Sequence, residues 1–313
     1  MLLGGGLVAC QSQINSRLAH HLGSGLRAGA LAATISFGSG LVVLTLAVVT
    51  VPRGRRGVRD LREALRAHRL RPVELVGGLL GAFFVASQSI SVGTIGVALF
   101  IVAVTAGQSA NSLAVDHIGL SPRGRQAVTP PRVIAAVFAV VAVILTAGER
   151  LATDASALVL GLAILAFGAG TLQPVQQALN GRVAAVGGPL ATTWNNFLVG
   201  TIALLAFLAI SFTVHGHIRG LPHAWWLYVG GLCGVVFISL ASWTVRIHGV
   251  LILGLCTIAG QVVTAELIDV LGSDSHVGVL GVLGGALTIV GVLIALLLRP
   301  KDTHKPAVEL SHN

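Results

Sequence analysis

Apolar segments recur along the whole chain, and each is about as long as a helix that crosses a membrane. A helix needs roughly 20 apolar residues to span about 30 Å of hydrocarbon. Ten segments meet this requirement, approximately at residues 1–19, 28–51, 73–92, 95–115, 133–149, 155–179, 190–212, 225–245, 249–268 and 277–298. Only 10% of the residues are charged, against about 25% in a soluble domain. The sequence therefore predicts an all-α integral membrane protein with ten transmembrane helices.

A Gly-Gln pair that is followed by Asp and Gly occurs twice in the chain. The two copies are Gly107, Gln108, Asp116 and Gly119 and, 153 residues later, Gly260, Gln261, Asp269 and Gly272. At this spacing, 14 of the 43 positions from 77 to 119 are identical in the second copy, where about four would match by chance. We therefore predict two five-helix units, at residues 1–150 and 151–300, followed by a polar tail at 301–313.

The basic residues predict how the chain crosses the membrane, because loops rich in Lys and Arg stay in the cytoplasm. With the amino terminus inside, 16 of the 20 Lys and Arg residues are cytoplasmic. The other four are Arg17, Arg27, Arg150 and Arg219. Both termini are then cytoplasmic, and the odd number of spans per unit inverts the second unit. Inverted repeats are typical of alternating-access transporters, whose solute site lies between the halves.

Eight arginines lie between Val51 and Arg71, in the segment that is most clearly outside the apolar spans. Asp60 and Glu63 lie three to four residues from Arg56, Arg59 and Arg66. This spacing of opposite charges favours a short amphipathic helix on the membrane surface. Such a segment sets the topology of the chain. It is also compatible with a regulatory or lipid-specific site.

Charge distribution and motifs restrict the partners and the chemistry. A net charge of +9 would suit nucleic acid, but the charge resides in loops, so we expect the lipid bilayer and no nucleic acid as a partner. The sequence contains no His-Glu-x-x-His, Gly-x-Ser-x-Gly or phosphate-loop motif, which argues against an enzyme or a nucleotide-driven pump. The three cysteines lie far apart within apolar spans, so we expect no metal site and no cofactor.

Amide side chains inside the spans are candidates for a solute cavity, because such groups are costly against lipid. Gln11 and Asn15 are four residues apart and therefore share a helical face, as do Gln176 and Asn180 in the second unit. The predicted substrate-binding residues with amide side chains are Gln11, Asn15, Gln108, Asn111, Gln176, Asn180 and Gln261. The alternative role is hydrogen bonding between helices, which contributes about 0.6 kcal/mol per contact.

Two other side chains are candidates for the same site. Trp194 lies beside Asn195 and Asn196 and could flank the solute, although tryptophans near span ends also anchor helices at the interface. Glu266 is the only carboxylate well inside an apolar span, which makes it a candidate for proton coupling. Its place near the outer end of that span fits an interfacial carboxylate as well.

Three motifs resemble the YdcZ-type, EamA-like branch of the drug/metabolite transporter superfamily. They are the repeated Gly-Gln motif, the Gly-Gly-Leu-x-Gly sequence from Gly77, and the Gln-x-x-x-Asn-x-x-Leu sequence from Gln11. The resemblance covers nearly the whole chain. It implies ten helices in two inverted halves around a central cavity, with both termini cytoplasmic. It also implies small-molecule transport across a plasma membrane, most often a bacterial one.

The chain departs from that pattern at two places. Pro174 interrupts a span that is crowded with glutamines, and Ala265 stands where the first copy of the motif has Ser112.

The sequence as a whole favours a secondary transporter or exporter of a small organic metabolite or drug-like solute. A lipid-handling or structural membrane protein is the alternative, and a homodimer is compatible with the sequence.

Overall fold

A computed structural model describes residues 1–120 and 156–271, together with single positions within 129–141 and 283–294. The helices are α1 (Leu2–Leu22), α2 (Gly25–Thr50), α3 (Pro52–Arg66), α4 (Gly77–Ile118), α5 (Ala157–Ser211) and α6 (Gly230–Leu271). Short 3-10 turns at Pro72–Val76 and Trp225–Tyr228 precede α4 and α6. Two-residue strands, β1 (Gly23–Ser24) and β2 (His217–Ile218), pair antiparallel. The prediction of a helical chain is confirmed.

Two of these long helices, α4 and α5, are each made of two segments. The backbone of α4 leaves the helical conformation at Gly96, which has a φ of 77°. That of α5 does so at Gly188, with a φ of 76°, and Pro189 begins the next segment. A positive φ is strained for residues with a Cβ, so glycine at these two positions allows the chain to change direction.

Four stretches of the described residues are long and apolar enough to cross a membrane. They are Gly25–Thr50, Pro72–Val115, Ala157–Ser211 and Trp225–Val245. Large apolar side chains are exposed along them, for example Leu46 on α2 and Ile202 on α5, which are 62% and 60% accessible. An exposed apolar surface of this kind suits contact with lipid. Most of the predicted fifth and tenth spans, and the whole tail, lie outside the described residues.

The first helix of each predicted unit packs against helices of the other unit. α1 lies along α6, and the first segment of α5 lies along α4. The contacts occur at matched positions: a Cβ on Gly260 would overlap the carbonyl oxygen of Leu2, and a Cβ on Gly107 would overlap that of Phe167. Glycine therefore permits the backbones to approach closely at both places.

The second helices of the two predicted units, α2 and the second segment of α5, cross each other in antiparallel directions. Thr34 near the start of α2 bonds the carbonyl of Leu204 at 3.3 Å. Near its end, Thr45 accepts a hydrogen bond from Trp194 at 3.1 Å. Between these contacts the rings of Phe37 and Phe197 stack, with their centroids 4.7 Å apart.

Candidate functional site

A small cavity of about 20 Å³ lies where these helices cross. Its lining consists of six pairs of residues at matched positions of the two predicted units. The pairs are Val8 and Gln173, Gln11 and Gln176, Phe37 and Phe197, Gly81 and Gly234, Phe84 and Phe237, and Val85 and Ile238. Residues from matched positions of the two predicted units thus meet at one point.

The polar groups of the cavity are the amides of three glutamines. Gln176 donates to Oδ1 of Asn196 at 3.4 Å, at the outer limit of hydrogen-bond length. The side chain of Gln11 makes no hydrogen bond within the described part of the chain. Oε1 of Gln173 is buried without a partner there. Amides that are free to donate and accept, and lining that contains no ionisable side chain, suit a solute without net charge.

Asn15 lies one helical turn beyond Gln11 and is fully buried. Its Nδ2 donates to Oε1 of Gln88 at 3.2 Å, and Nε2 of Gln88 donates to the hydroxyl of Ser12 at 2.8 Å. Gln88 was missed by the comparison of the two copies, because its matched residue is Ala241. An amide in the middle of an apolar span was the signal that could have found it.

In the second unit, a different residue bridges the matched amides. Nδ2 of Asn196 donates to Oδ1 of Asn180 at 3.1 Å, while Oδ1 of Asn196 accepts from Gln176. The residue matched to Asn196 is Ser36, whose hydroxyl is buried and has no partner among the described residues. Asn196 therefore joins Gln176 to Asn180, whereas Gln88 in the first unit joins Asn15 to Ser12.

Gln108 and Gln261, the glutamines of the repeated motif, lie outside the cavity lining. They are 3% and 0% accessible. Neither amide, at either its nitrogen or its oxygen, has a hydrogen-bond partner in the described residues. Each follows a glycine that contacts the backbone of a neighbouring helix, Gly107 against α5 and Gly260 against α1.

The other predicted site residues lie between helices. Nδ2 of Asn111 donates to the carbonyl of Thr171 and so links α4 to α5. The indole nitrogen of Trp194 donates a hydrogen bond to the hydroxyl of Thr45, and Trp194 is not among the residues that line the cavity. The side chain of Glu266 lies outside the described part of the structure.

Matched arginines lie at opposite ends of the crossing helices, and their contacts differ. Arg182 on α5 forms a salt bridge with Glu74 at 3.1 Å, and its Nε donates to the carbonyl of Leu120 at 2.8 Å. Arg17 on α1 instead lies over the ring of Trp226, 5.9 Å from the ring centroid. A charged hydrogen-bonded pair binds more strongly than an exposed cation–π contact, so the contacts of Arg182 are the stronger of the two sets.

A larger cavity of about 350 Å³ lies between α2, α4 and α5. Its walls are almost wholly apolar and include Leu79, Phe83 and Phe207. Leu79 and Phe83 are 50% and 40% accessible, so this cavity opens on the apolar surface of the protein. It offers room for a hydrocarbon group, but it lacks the amides that would orient a polar solute.

Comparisons with known proteins identify the family. The family described as "Putative inner membrane exporter, YdcZ" matches residues 1–145 and 161–294. The chain belongs to this family. The predicted YdcZ-type membership is thus confirmed, and the description of the family places the chain among membrane exporters, which are not a class of enzymes.

A solved structure titled "Crystal structure of protein" is similar in fold, with a TM-score of 0.62 and 17% sequence identity. The match covers 95% of this chain and 96% of the other. No curated protein matches the chain.

Proposed function

We propose that this protein is a secondary transporter that exports a small organic solute from the cytoplasm by alternating access. The observation that carries the proposal is the cavity at the helix crossing, whose six pairs of lining residues come from matched positions of the two units. A solute site at a repeat interface near the middle of the membrane is typical of alternating-access transporters. Membership of an exporter family supports the outward direction.

The proposed architecture is ten membrane helices in two inverted five-helix repeats, with both termini in the cytoplasm. The antiparallel crossing of α2 with its matched segment in α5 supports the inversion. The matched glycine contacts of Gly107 and Gly260 support the duplication. The charge asymmetry of the loops supports the orientation.

The solute that we propose is uncharged or zwitterionic. Gln11, Gln173 and Gln176 supply amide donors and acceptors, while the stacked rings of Phe37 and Phe197 supply an apolar face. Pockets that hold small molecules usually measure about 300–1,000 Å³, far more than the 20 Å³ of this cavity. Binding therefore requires the halves to separate, and the segment boundary at Gly188 is a suitable hinge.

The test combines a solute screen with two substitutions. Metabolites are screened by thermal shift on the purified protein, because a ligand that binds only the folded state raises the unfolding temperature. Gln11→Leu and Gln176→Leu should weaken binding of the identified solute by about 1–3 kcal/mol, since they leave polar groups of the solute unpaired. Both variants should also slow transport of that solute in liposomes.

Gln177→Leu provides the matched control, because Gln177 is buried beside Gln176 but does not line the cavity. This variant should retain the affinity of the unmodified protein. Equal affinity in Gln11→Leu, Gln176→Leu and the control would refute the assignment of the cavity. Solute binding without any transport in liposomes would instead favour the alternative, a lipid-handling or structural protein.

A further inference from the structure

The arginine-rich segment forms a helix at the end of a membrane span. α2 ends at Thr50, and Pro52 begins α3, which places α3 at the boundary of the apolar region. Nη1 of Arg55 donates to the carbonyl of Val49 in the last turn of α2 at 2.8 Å. The basic side chains of α3 therefore begin at the level where lipid headgroups lie.

The arginines of α3 are arranged in a stripe. Residues that are spaced by four, three and four positions share one face of an α-helix. This stripe consists of Arg55, Arg59, Arg62 and Arg66, and all four side chains are exposed. Within the described residues, one ion pair reaches it, between Arg59 and Glu63 at 3.8 Å. Arg55 bonds a neutral carbonyl, so at least three positive charges on this face have no ion pair within the described residues.

The remaining face of α3 is packed against the protein at a specific place. Its buried residues are Gly54, Gly57, Leu61 and Ala64. A Cβ on Gly57 would overlap the carbonyl oxygen of Gly187, and Leu61 packs with Val183 and Ala191 in an apolar cluster. α3 therefore covers the boundary at Gly188, where the two segments of α5 meet.

The boundary in the first unit that matches Gly188 lies between α1 and α2, and no arginine-rich helix covers it in the described residues. β1, which follows α1, pairs with β2 in the loop after α5. Arg27 donates to the carbonyls of Phe212 and Val214 in the same loop, at 3.2 and 2.9 Å. The β1–β2 pair and the single arginine Arg27 therefore hold the loop after α5 against the boundary between α1 and α2. The stripe of arginines on α3 is therefore not needed for packing, and the topology-setting role of this segment does not require the arginines to share one face.

We propose that the stripe of α3 binds the headgroups of anionic phospholipids, and that the bound lipids hold α3 on the Gly188 boundary. Basic residues at a membrane surface are attracted to anionic lipids over about a Debye length. The planar guanidinium group also bonds phosphate oxygens in a bidentate manner. Lipid binding by this surface does not depend on which solute the protein carries, so it can be tested separately.

The experiment uses the full chain in detergent, titrated with phosphatidylglycerol or phosphatidylcholine and followed by native mass spectrometry. Each arginine whose side chain meets the anionic headgroups contributes a factor of about five to the attraction. The double variant R62Q/R66Q should therefore bind phosphatidylglycerol about 25-fold more weakly and leave phosphatidylcholine binding unchanged. R62K/R66K, which keeps both charges, should retain most of the affinity.

The matched control is R53Q/R56Q, which removes the same charge from the same helix but outside the stripe. It should retain phosphatidylglycerol affinity, and inorganic phosphate at equal concentration should not compete. A second readout is the unfolding temperature in nanodiscs, which phosphatidylglycerol should raise for the unmodified chain but not for R62Q/R66Q. Equal losses in the two double variants, or no preference for phosphatidylglycerol over phosphatidylcholine, would overturn the proposal.

Discussion

Buried amides in this protein are of two kinds, and the difference determines what each substitution does. Gln88 is fully buried and bonded to both Ser12 and Asn15. Gln261 is equally buried, but its amide has no partner in the described residues. An unpaired buried polar group costs about 1–3 kcal/mol, whereas a bonded one contributes to stability.

The first prediction at this scale contrasts Gln88→Leu with Gln261→Leu. Gln88→Leu leaves Nδ2 of Asn15 unpaired and removes the bond donated to the Ser12 hydroxyl, which keeps only its own bond to the carbonyl of Val8, so the free energy of unfolding should fall by about 1–3 kcal/mol. Gln261→Leu removes an unpaired group, so stability should be retained or increased. Thermal unfolding of the two purified variants measures both effects. A loss in Gln261→Leu as large as that in Gln88→Leu would mean that Gln261 has a bonding partner beyond the described residues.

At the scale of helices, the close contacts between the two predicted units depend on glycine. A Cβ on Gly170 of α5 would overlap the carbonyl oxygen of Val104 on α4. Gly168, two residues earlier on the same helix, has no atom within 4 Å of such a Cβ. Without a strong hydrophobic force between helices in lipid, this packing supplies much of the association between α4 and α5.

The prediction for these helices is that Gly170→Ala destabilises the protein and Gly168→Ala does not. Forcing apart two packed backbones should cost about 1–3 kcal/mol. At Gly168 the added methyl group has space, and alanine favours the helix by up to about 1 kcal/mol. The unfolding temperatures of the two variants should therefore move in opposite directions. If the two variants were equally stable, the contact between α4 and α5 would not be as close as the structure shows.

At the scale of the whole molecule, the two ends of the crossing helices have different chemistry. The Arg182 end has a salt bridge and the basic helix α3, while the Arg17 end has a cation–π contact and the β1–β2 pair. Inverted repeats place matched elements on opposite sides of the membrane. The charge difference between the ends would then orient the molecule, since basic segments remain in the cytoplasm.

This orientation predicts the outcome of reporter fusions. Fusions after Arg71, Arg132 and Arg299 should report a cytoplasmic location, because sixteen of the twenty basic residues then face the cytoplasm. Fusions near Asp154 and Gly216 should report an external location. The assay compares a reporter that is active only inside with one that is active only outside. An external signal after Arg71 would contradict the inverted-repeat arrangement.

Much of the architecture follows from the sequence alone. Hydropathy and span length are local properties, so they were sufficient to predict a helical membrane protein, and that prediction is confirmed. The repeated motifs were sufficient to predict the family, which is also confirmed. The count of ten spans and the inversion of the second unit remain predictions.

The candidate site was only partly accessible to sequence reasoning. The matched patterns predicted Gln11 and Gln176 as cavity residues, and both line the cavity. Only the tertiary structure decided that Gln108 and Gln261 lie outside the lining and that Gln88 holds Asn15. A sequence pattern indicates which helical face a residue occupies, but the crossing of helices from distant parts of the chain determines what that face meets.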